Sequence, residues 1–598
     1  MINFTFMKKI LSISLVLAFL IFSFTDCKEK ETTKLSESKN KEIAKSKFAR
    51  LYPDYNPQKI KETIYDLILK DSLLLPFYTE DVYHPVWSHD TLDVARIKDF
   101  VSVLKESDKH GLSAEYFSTN IIESVTDSID AGLYSLDDLY KKMVDLELTS
   151  TLSAVKYIKG MKYGFVDPKR LYKKDYDISV LTPDSTFYEE IYKELKEDPI
   201  SSVINSVPTD PIYLKLQKEY QDLSQKKEQG FKTITNTATY KLGDKNKHIS
   251  EIAQRLALTG EYVIAENDSI GDDSSDMILD ENLLEAINTF RKKNSYPEEK
   301  EVGKLTIDAL NRPLDYYLKK LRANMERYRW KRTKTKHNKH IEVNVASAYL
   351  TATEQDSLPL IMRVCVGTAT NKTPLLQSDI SYLNLNPIWN VPTSIAQKEV
   401  AILQKKDPTY IKRHNMKLYK NGKEVDITTI NWKEVDPSKF SYTIRQSPGE
   451  SNALGLVKFM FNNAFSVYLH DTPSKAAFGR KNRAVSHGCV RVQKPFDLAF
   501  FCMSTTSDEI YKDRLFYSID KQPISKAGKK LGQENKLKKL PDILNPKDKI
   551  SLFIDYYTVY MYPDDDMLYY ADDVYEYDNT ILDALKSQHT KAKKEAKN

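Results

Sequence analysis

Between Tyr468 and Val492 the chain reads Tyr-Leu-His-Asp-Thr-Pro-Ser-Lys-Ala-Ala-Phe-Gly-Arg-Lys-Asn-Arg-Ala-Val-Ser-His-Gly-Cys-Val-Arg-Val. This stretch sets Cys489 beside His487 across Gly488 and places His470 nineteen positions upstream. A thiol attacks a carbonyl once a base has taken its proton, and the oxyanion that forms needs hydrogen-bond donors. A free cysteine, with a pKa of about 8.5, is mostly protonated at neutral pH. A histidine within reach therefore either takes that proton during attack or holds the pair as thiolate and imidazolium. His470 is the expected base, and its ring needs an orienting partner. His487 is expected to shape the turn by hydrogen bonding, with a direct proton role as the alternative. Gly488 can adopt torsions that other residues avoid, so the amides around Gly488 and Cys489 are expected to face a substrate carbonyl. Against this stands the plainer reading of a buried structural thiol near two unrelated histidines.

These side chains need a rigid frame. His470 closes an apolar run, Phe465 to Leu469, that reads as a strand. Leu456 to Phe461 and an Asn462-Asn463 turn before it complete a hairpin. Cys489 leads into Lys494 to Met503, an apolar-faced helix. Upstream, from Ile341, apolar residues alternate at Ile341, Val343 and Val345, then from Tyr349 to Thr353 and from Leu360 to Val366, the period of strands. Ser394 to Gln446 is more helical and loopy. Ile550 to Tyr560 reads as a further strand. Arg480, Lys481, Arg483, Arg491 and Lys494 surround the thiol in sequence with few acids between them. They are either a solvated face or the complement of a carboxylate-rich peptide. Arg491 is the best carboxylate clamp, because a guanidinium binds carboxylate through two parallel hydrogen bonds.

The block from Tyr-Leu-His-Asp-Thr-Pro to Ser-His-Gly-Cys-Val-Arg-Val resembles the signature of the L,D-transpeptidases, the YkuD-type cysteine enzymes of peptidoglycan, and most of all their large periplasmic branch. The resemblance implies that Cys489 attacks the third residue of a tetrapeptide stem and releases the terminal D-alanine. An amine from a neighbouring stem would then resolve the thioester into a 3→3 cross-link. It also implies that the backbone carbonyl of Asp471 orients His470, with the Asp471 carboxylate as the alternative. Gly488 and His487 complete the implied catalytic group, and Tyr468, Ser486, Trp389, Arg483 and Arg491 the substrate-binding one. Residues 394–446 would cap the site, with Trp389 and Tyr442 lining the cleft or serving as core aromatics. Two further readings stay open: an L,D-carboxypeptidase or endopeptidase with water as acceptor, and an inert wall-binding lipoprotein.

The whole chain is expected to be a multidomain α+β protein. Its 598 residues exceed one core and imply three or more units, and a net charge of +5 gives no case for nucleic acid. Lys8, Lys9 and the apolar run Ile10 to Phe24 read as a signal peptide over residues 1–27, with Met7 as a second possible start. Cys27 stands where a lipoprotein signal places its acylated cysteine, although Phe24-Thr25-Asp26 departs from the usual small residues; an ordinary cleaved signal is the alternative. The protein is expected to be exported and periplasmic, with possible membrane attachment through Cys27. Residues 28–50 read as a disordered tether. Residues 51–240 read as a helical scaffold domain, similar to that of the large transpeptidases. Residues 241–313 resemble a three-helix peptidoglycan-binding module with an acidic insertion, Glu266 to Asp280. A linker helix with one basic face fills 314–338, followed by the catalytic domain, 339–520. An extension with an added strand, 521–575, and a charged, fraying tail, 576–598, end the chain. Peptidoglycan stem peptides and glycan strands are the expected partners. Cys365 and Cys502 read as buried thiols, a bridge between them being the alternative. No cysteine and histidine spacing suits zinc, so no metal or other cofactor is expected.

Overall fold

The computed structural model describes residues 46–595 except 69–73, 75–77, 79–84, 89–90, 228–229, 236–237, 265–275 and 564. The expected signal peptide, Cys27 and most of the tether lie outside the described residues, as does most of the acidic insertion. The end of the tether is not disordered: Ser46 caps a helix, Lys47–Leu51, whose Phe48 is buried.

The N-terminal part is helical. Its backbone is α1 (Leu136–Tyr163), started by Ser135, whose side chain accepts from the Asp138 amide, and ended at Gly164 in a positive-φ conformation. Helices Pro57–Ile68 and Thr119–Asp130, which the sequence reading passed over, pack beside it. A second small core gathers Ile252, Leu256, Leu283, Ile287, Phe290 and Ile307 from helices Lys247–Thr259, Glu281–Lys293 and Lys304–Leu310. Met277–Ile278, inside the expected insertion, pairs with Lys245–Asn246.

The linker helix α2 (Leu314–Arg329) buries much of its basic face: Lys320, Arg327 and Arg329 are at most 3% exposed. Buried cations need partners, and two of the three find theirs far along the chain. Arg327 and Lys320 reach Asp578 at 2.5 and 3.4 Å, and Arg329 reaches Glu326 at 3.0 Å. Glu326 in turn accepts from the amides of Phe165 and Val166, just after α1.

The expected catalytic region is built on strands whose pairings return to their start. These are β1 (Lys339–Asn344), β2 (Tyr349–Glu354), β3 (Leu360–Gly367), β4 (Leu375–Leu385), β5 (Val457–Phe461), β6 (Leu469–His470), β7 (Ala484–Ser486), β8 (Val490–Val492) and β9 (Ser551–Asp555). The order β1-β2-β3-β8-β6-β5-β4-β9 closes on β1, with β7 alongside β3. Closure leaves no open edge in this ring. Alternate residues, among them Ile341, Val343, Val364, Val457, Leu469, Val490 and Ile554, fill one core together with Leu498, Ala499 and Cys502 of α3 (Pro495–Cys502). Cys365 and Cys502 are free, buried thiols.

Four sequence expectations change here. β9 adds to the sheet, sitting between β1 and β4 and closing the ring. It also ends at Asp555, and Val559–Tyr560 pairs instead with Tyr569–Tyr570. The expected tail forms α4 (Tyr577–Glu595), with Tyr577, Asp578 and Ile581 buried. The strand expected from Phe465 shrinks to β6, because Asn463 organises the preceding loop by accepting from the Phe465 and Val467 amides. Residues 394–446 are more than helix and loop: Met416–Lys420, Lys423–Val425 and Thr443–Gln446 join Trp389–Val391 in a separate sheet with its own apolar core.

Candidate active site

Register places the reactive side chains. β6 and β8 run parallel with Leu469 opposite Val490 and His470 opposite Arg491. Leu469, Val490 and Val492 point into the barrel core. Strand side chains alternate, so Tyr468, His470, Cys489 and Arg491 share the outer face. On the other side of β6, antiparallel β5 sets Lys458 opposite His470. With strands about 4.8 Å apart, five chemically active groups gather on one patch.

The turn that presents Cys489 is held from below. Gly488 has φ 115°, a conformation that costs an L side chain dearly. Ser486 donates its hydroxyl to the Cys489 carbonyl at 2.6 Å and accepts from the Gly488 amide at 3.2 Å. The Thr373 hydroxyl donates to the Gly488 carbonyl at 2.9 Å and accepts from the Gly367 amide at 2.8 Å. Tyr575, from beyond β9, accepts from the Thr373 amide and donates to the Gly367 carbonyl. The Gly488 amide is therefore engaged, and the Cys489 amide is the oxyanion donor this turn still offers.

His470 is buried, and its Nδ1–H donates to the Asp471 carbonyl oxygen at 2.5 Å. That bond fixes the tautomer with a bare Nε2, the form a base needs. The Asp471 carboxylate does not orient the ring. It accepts from the Leu456 and Thr472 amides and pairs with Lys475. Gly455 makes room for it: a Cβ there would fall 2.4 Å from the Asp471 carboxyl carbon.

Charge at the site is set by burial. Desolvation first, and then the Arg491 guanidinium, depress His470 to about 3. Desolvation also pushes the Cys489 thiol up, against hydrogen bonds from Tyr468 and the charges of Lys458 and Arg491. Both directions favour a neutral thiol and a neutral imidazole at rest.

Tyr468 bonds the thiol with its phenol, and the same phenol bonds Trp389. Lys458 lies 3.9 Å above the Tyr468 ring, and burial lowers its pKa. Among the described residues no carboxylate pairs with Lys458, and the buried Nε of Arg491 has no acceptor. Two cations thus flank the sulfur without counter-ions.

Not every expected residue converges. His487 turns outward to Glu399 of the 394–446 segment. Arg483 donates to the Ser347 carbonyl at 2.7 Å and lies over Tyr349, outside the thiol's surroundings. Trp389 does reach the site through Tyr468, whereas Tyr442 packs on Phe440 and Lys420 within the inserted sheet. Sequence reasoning missed Lys458, Thr373, Tyr575 and Glu399. Of these, only Lys458 carried a signal: it is a cation alternating with apolar residues on the strand before His470.

A strand-borne histidine oriented by a carbonyl, a glycine-turn cysteine and an arginine without a carboxylate partner among the described residues share one face of the barrel. Residues 338–510 match the L,D-transpeptidase catalytic domain. Residues 72–219 match the scaffold domain model. A Haemophilus influenzae protein named "Putative L,D-transpeptidase" is 42% identical over 160 residues, which are 27% of this chain and 32% of that protein. The chain thus matches about a third of the length of that curated relative. The matches thus place an L,D-transpeptidase catalytic domain at residues 338–510 and a scaffold domain before it.

Proposed function

We propose that the protein cross-links peptidoglycan stems 3→3 through a thioester on Cys489. The observation that carries this reading is His470, oriented by the Asp471 carbonyl, on the same barrel face as Cys489 and with Lys458 and Arg491, which have no carboxylate partner among the described residues. A donor tetrapeptide stem places its carboxylates on those cations. As sulfur attacks the carbonyl of the third residue, His470 Nε2 takes the thiol proton and the Cys489 amide receives the oxyanion. The intermediate collapses, the C–N bond to the terminal D-alanine breaks, and His470 returns its proton to the departing amine. An amine of a second stem then attacks the thioester and gives its proton to His470. The C–S bond breaks, and the sulfur leaves as a thiol reprotonated by His470.

Water would divert the thioester to hydrolysis. In this reading the 394–446 segment, joined to the catalytic turn through Glu399 and His487, restricts water's approach and caps the site. The small three-helix unit at 241–313 binds glycan, and export to the periplasm, with Cys27 as a lipid anchor, brings the enzyme to its substrate. Incubation of the full chain with disaccharide tetrapeptide tests the proposal by mass. A cross-linked dimer that has lost one D-alanine is expected. A tripeptide monomer alone would make the protein a carboxypeptidase, and an unchanged substrate would overturn the assignment.

A further inference from the structure

β2 and β3 send Leu350, Met362 and Val364 into the barrel core and turn Tyr349, Ile361 and Arg363 outward. Above them opens a cleft of about 560 Å³, where Lys292–Pro297 of the three-helix unit and the hairpin around Tyr560–Tyr569 meet the catalytic region. Neither this cleft nor a neighbouring one of about 500 Å³ over β1 and β2 is lined by Cys489.

The charge of this cleft is lopsided. Lys292 and Lys481 are paired with Asp565 and Asp572 at 3.4 and 3.5 Å. Arg363, Arg480 and Arg483 have no carboxylate partner among the described residues. Arg363 donates to the Phe478 carbonyl, and Arg483 to those of Ser347 and Arg480. The Nε of Arg483 is buried with no acceptor. Gathering like charges in a half-buried cleft is costly, and a bound anion would relieve that cost.

The walls are phenolic. Tyr296 lies 3.8 Å beneath Lys481, and Tyr349 lies 5.1 Å beneath the Arg483 guanidinium. Tyr562 meets Tyr349, Tyr560 and Tyr569 at 77°, 89° and 71°. Walls at such angles do not form a parallel slot for a flat base. They suit a puckered pyranose, which offers C–H groups on its faces and hydroxyls at its rim.

We propose that this cleft binds a carboxylate-bearing saccharide at a site separate from the thiol. The proposed wall chemistry enters only in naming the source of that sugar as the peptidoglycan strand. The segment Arg480–Arg483 continues through β7 to Cys489, so a glycan held here also steadies the chain that carries the nucleophile.

The test is calorimetric titration of the full-length Cys489→Ala protein, in which no turnover interferes. The probes are N-acetylglucosaminyl-N-acetylmuramic acid, the neutral disaccharide diacetylchitobiose and a short thymidine oligonucleotide. The acidic disaccharide is expected to bind at least about tenfold tighter than the neutral one. Arg363→Gln and Tyr296→Ala are each expected to weaken it at least about fivefold, with Tyr296→Ala deciding the matter if Arg363→Gln, which also frees Phe478, melts early. Equal binding of the two sugars, tighter binding of the oligonucleotide, or affinity unmoved by Tyr296→Ala would overturn the proposal. Selective binding of the acidic sugar by a protein that forms no cross-links would leave this site standing and remove the catalytic reading instead.

Discussion

Two buried ionisable sites in this molecule are built on opposite plans. In the helical scaffold, Glu147 of α1 is fully buried and fully occupied. It accepts from the Tyr78 hydroxyl, from the Val86, Trp87 and Ser88 amides and from the Ser88 hydroxyl, at 2.5 to 3.0 Å. Desolvation still raises its pKa, against those donors. On the barrel face His470 is likewise enclosed, yet among the described residues its Nε2 has no hydrogen-bond partner, Arg491 Nε has no acceptor and Lys458 pairs with no carboxylate. A satisfied buried charge ties segments together, whereas a buried group left short of partners is available for chemistry. The scaffold site is a clamp and the barrel site is a tool.

Substitutions should separate the two plans, and the largest effect belongs to the nucleophile. Cys489→Ala should remove cross-linking by at least about 10³-fold with little change in melting temperature, because the turn is held by Ser486 and Thr373 and the Tyr468 phenol keeps its bond to Trp389. His470→Gln should lower kcat/KM by roughly 10²- to 10⁴-fold. Glu147→Leu should do the reverse, costing about 3–5 kcal/mol by orphaning the donors around it while activity per folded molecule stays near that of the parent. If Glu147→Leu lost activity and kept its stability, the comparison would fail.

Acid should expose a shared liability. His470 and His110, the latter buried beside Arg329, are both held near 3 against an ordinary 6.5, with desolvation as the leading cause. Between these values the unfolded chain binds protons that the folded chain refuses, so stability falls as pH drops from about 6.5 towards 3. Over the same window kcat/KM should show no histidine limb at 6.5, because His470 stays neutral. Melting temperatures and rates measured from pH 4 to 8 check both statements.

Smaller effects sharpen the picture of the catalytic face. Lys458→Met should raise KM by about tenfold and leave kcat within about threefold, the pattern of a lost ground-state contact. Glu399→Gln breaks a pair whose partners are both near half-exposed; pairs of that kind contribute at most about 1 kcal/mol, so rates should move less than about threefold.

The catalytic turn was legible because local sequence wrote it: Ser486, Gly488, Cys489 and Arg491 lie within six positions, and His470 is one strand away. What supports them was not. Thr373 and Tyr575 reach the turn from strands and loops far along the chain, where a threonine or a tyrosine carries no mark. The burial of Lys320 and Arg327 on α2 was not legible, because Asp578, their partner, comes some 250 positions later. The same distance hid α4, whose charges outnumber Tyr577, Ile581 and Leu585, the residues that dock it. Arg483 shows the opposite error, since nearness to Cys489 in sequence did not bring its guanidinium to the sulfur.

The central claim is that Cys489 takes an acyl group from a tetrapeptide donor with His470 as base. Intact-protein mass spectrometry after exposure to donor tetrapeptide, with no acceptor amine, tests it most directly. The predicted result is an added mass equal to the donor less one D-alanine, mapped to the peptide containing Cys489 and strongly diminished in His470→Gln. An unmodified protein, or the same adduct in Cys489→Ala, would contradict the account.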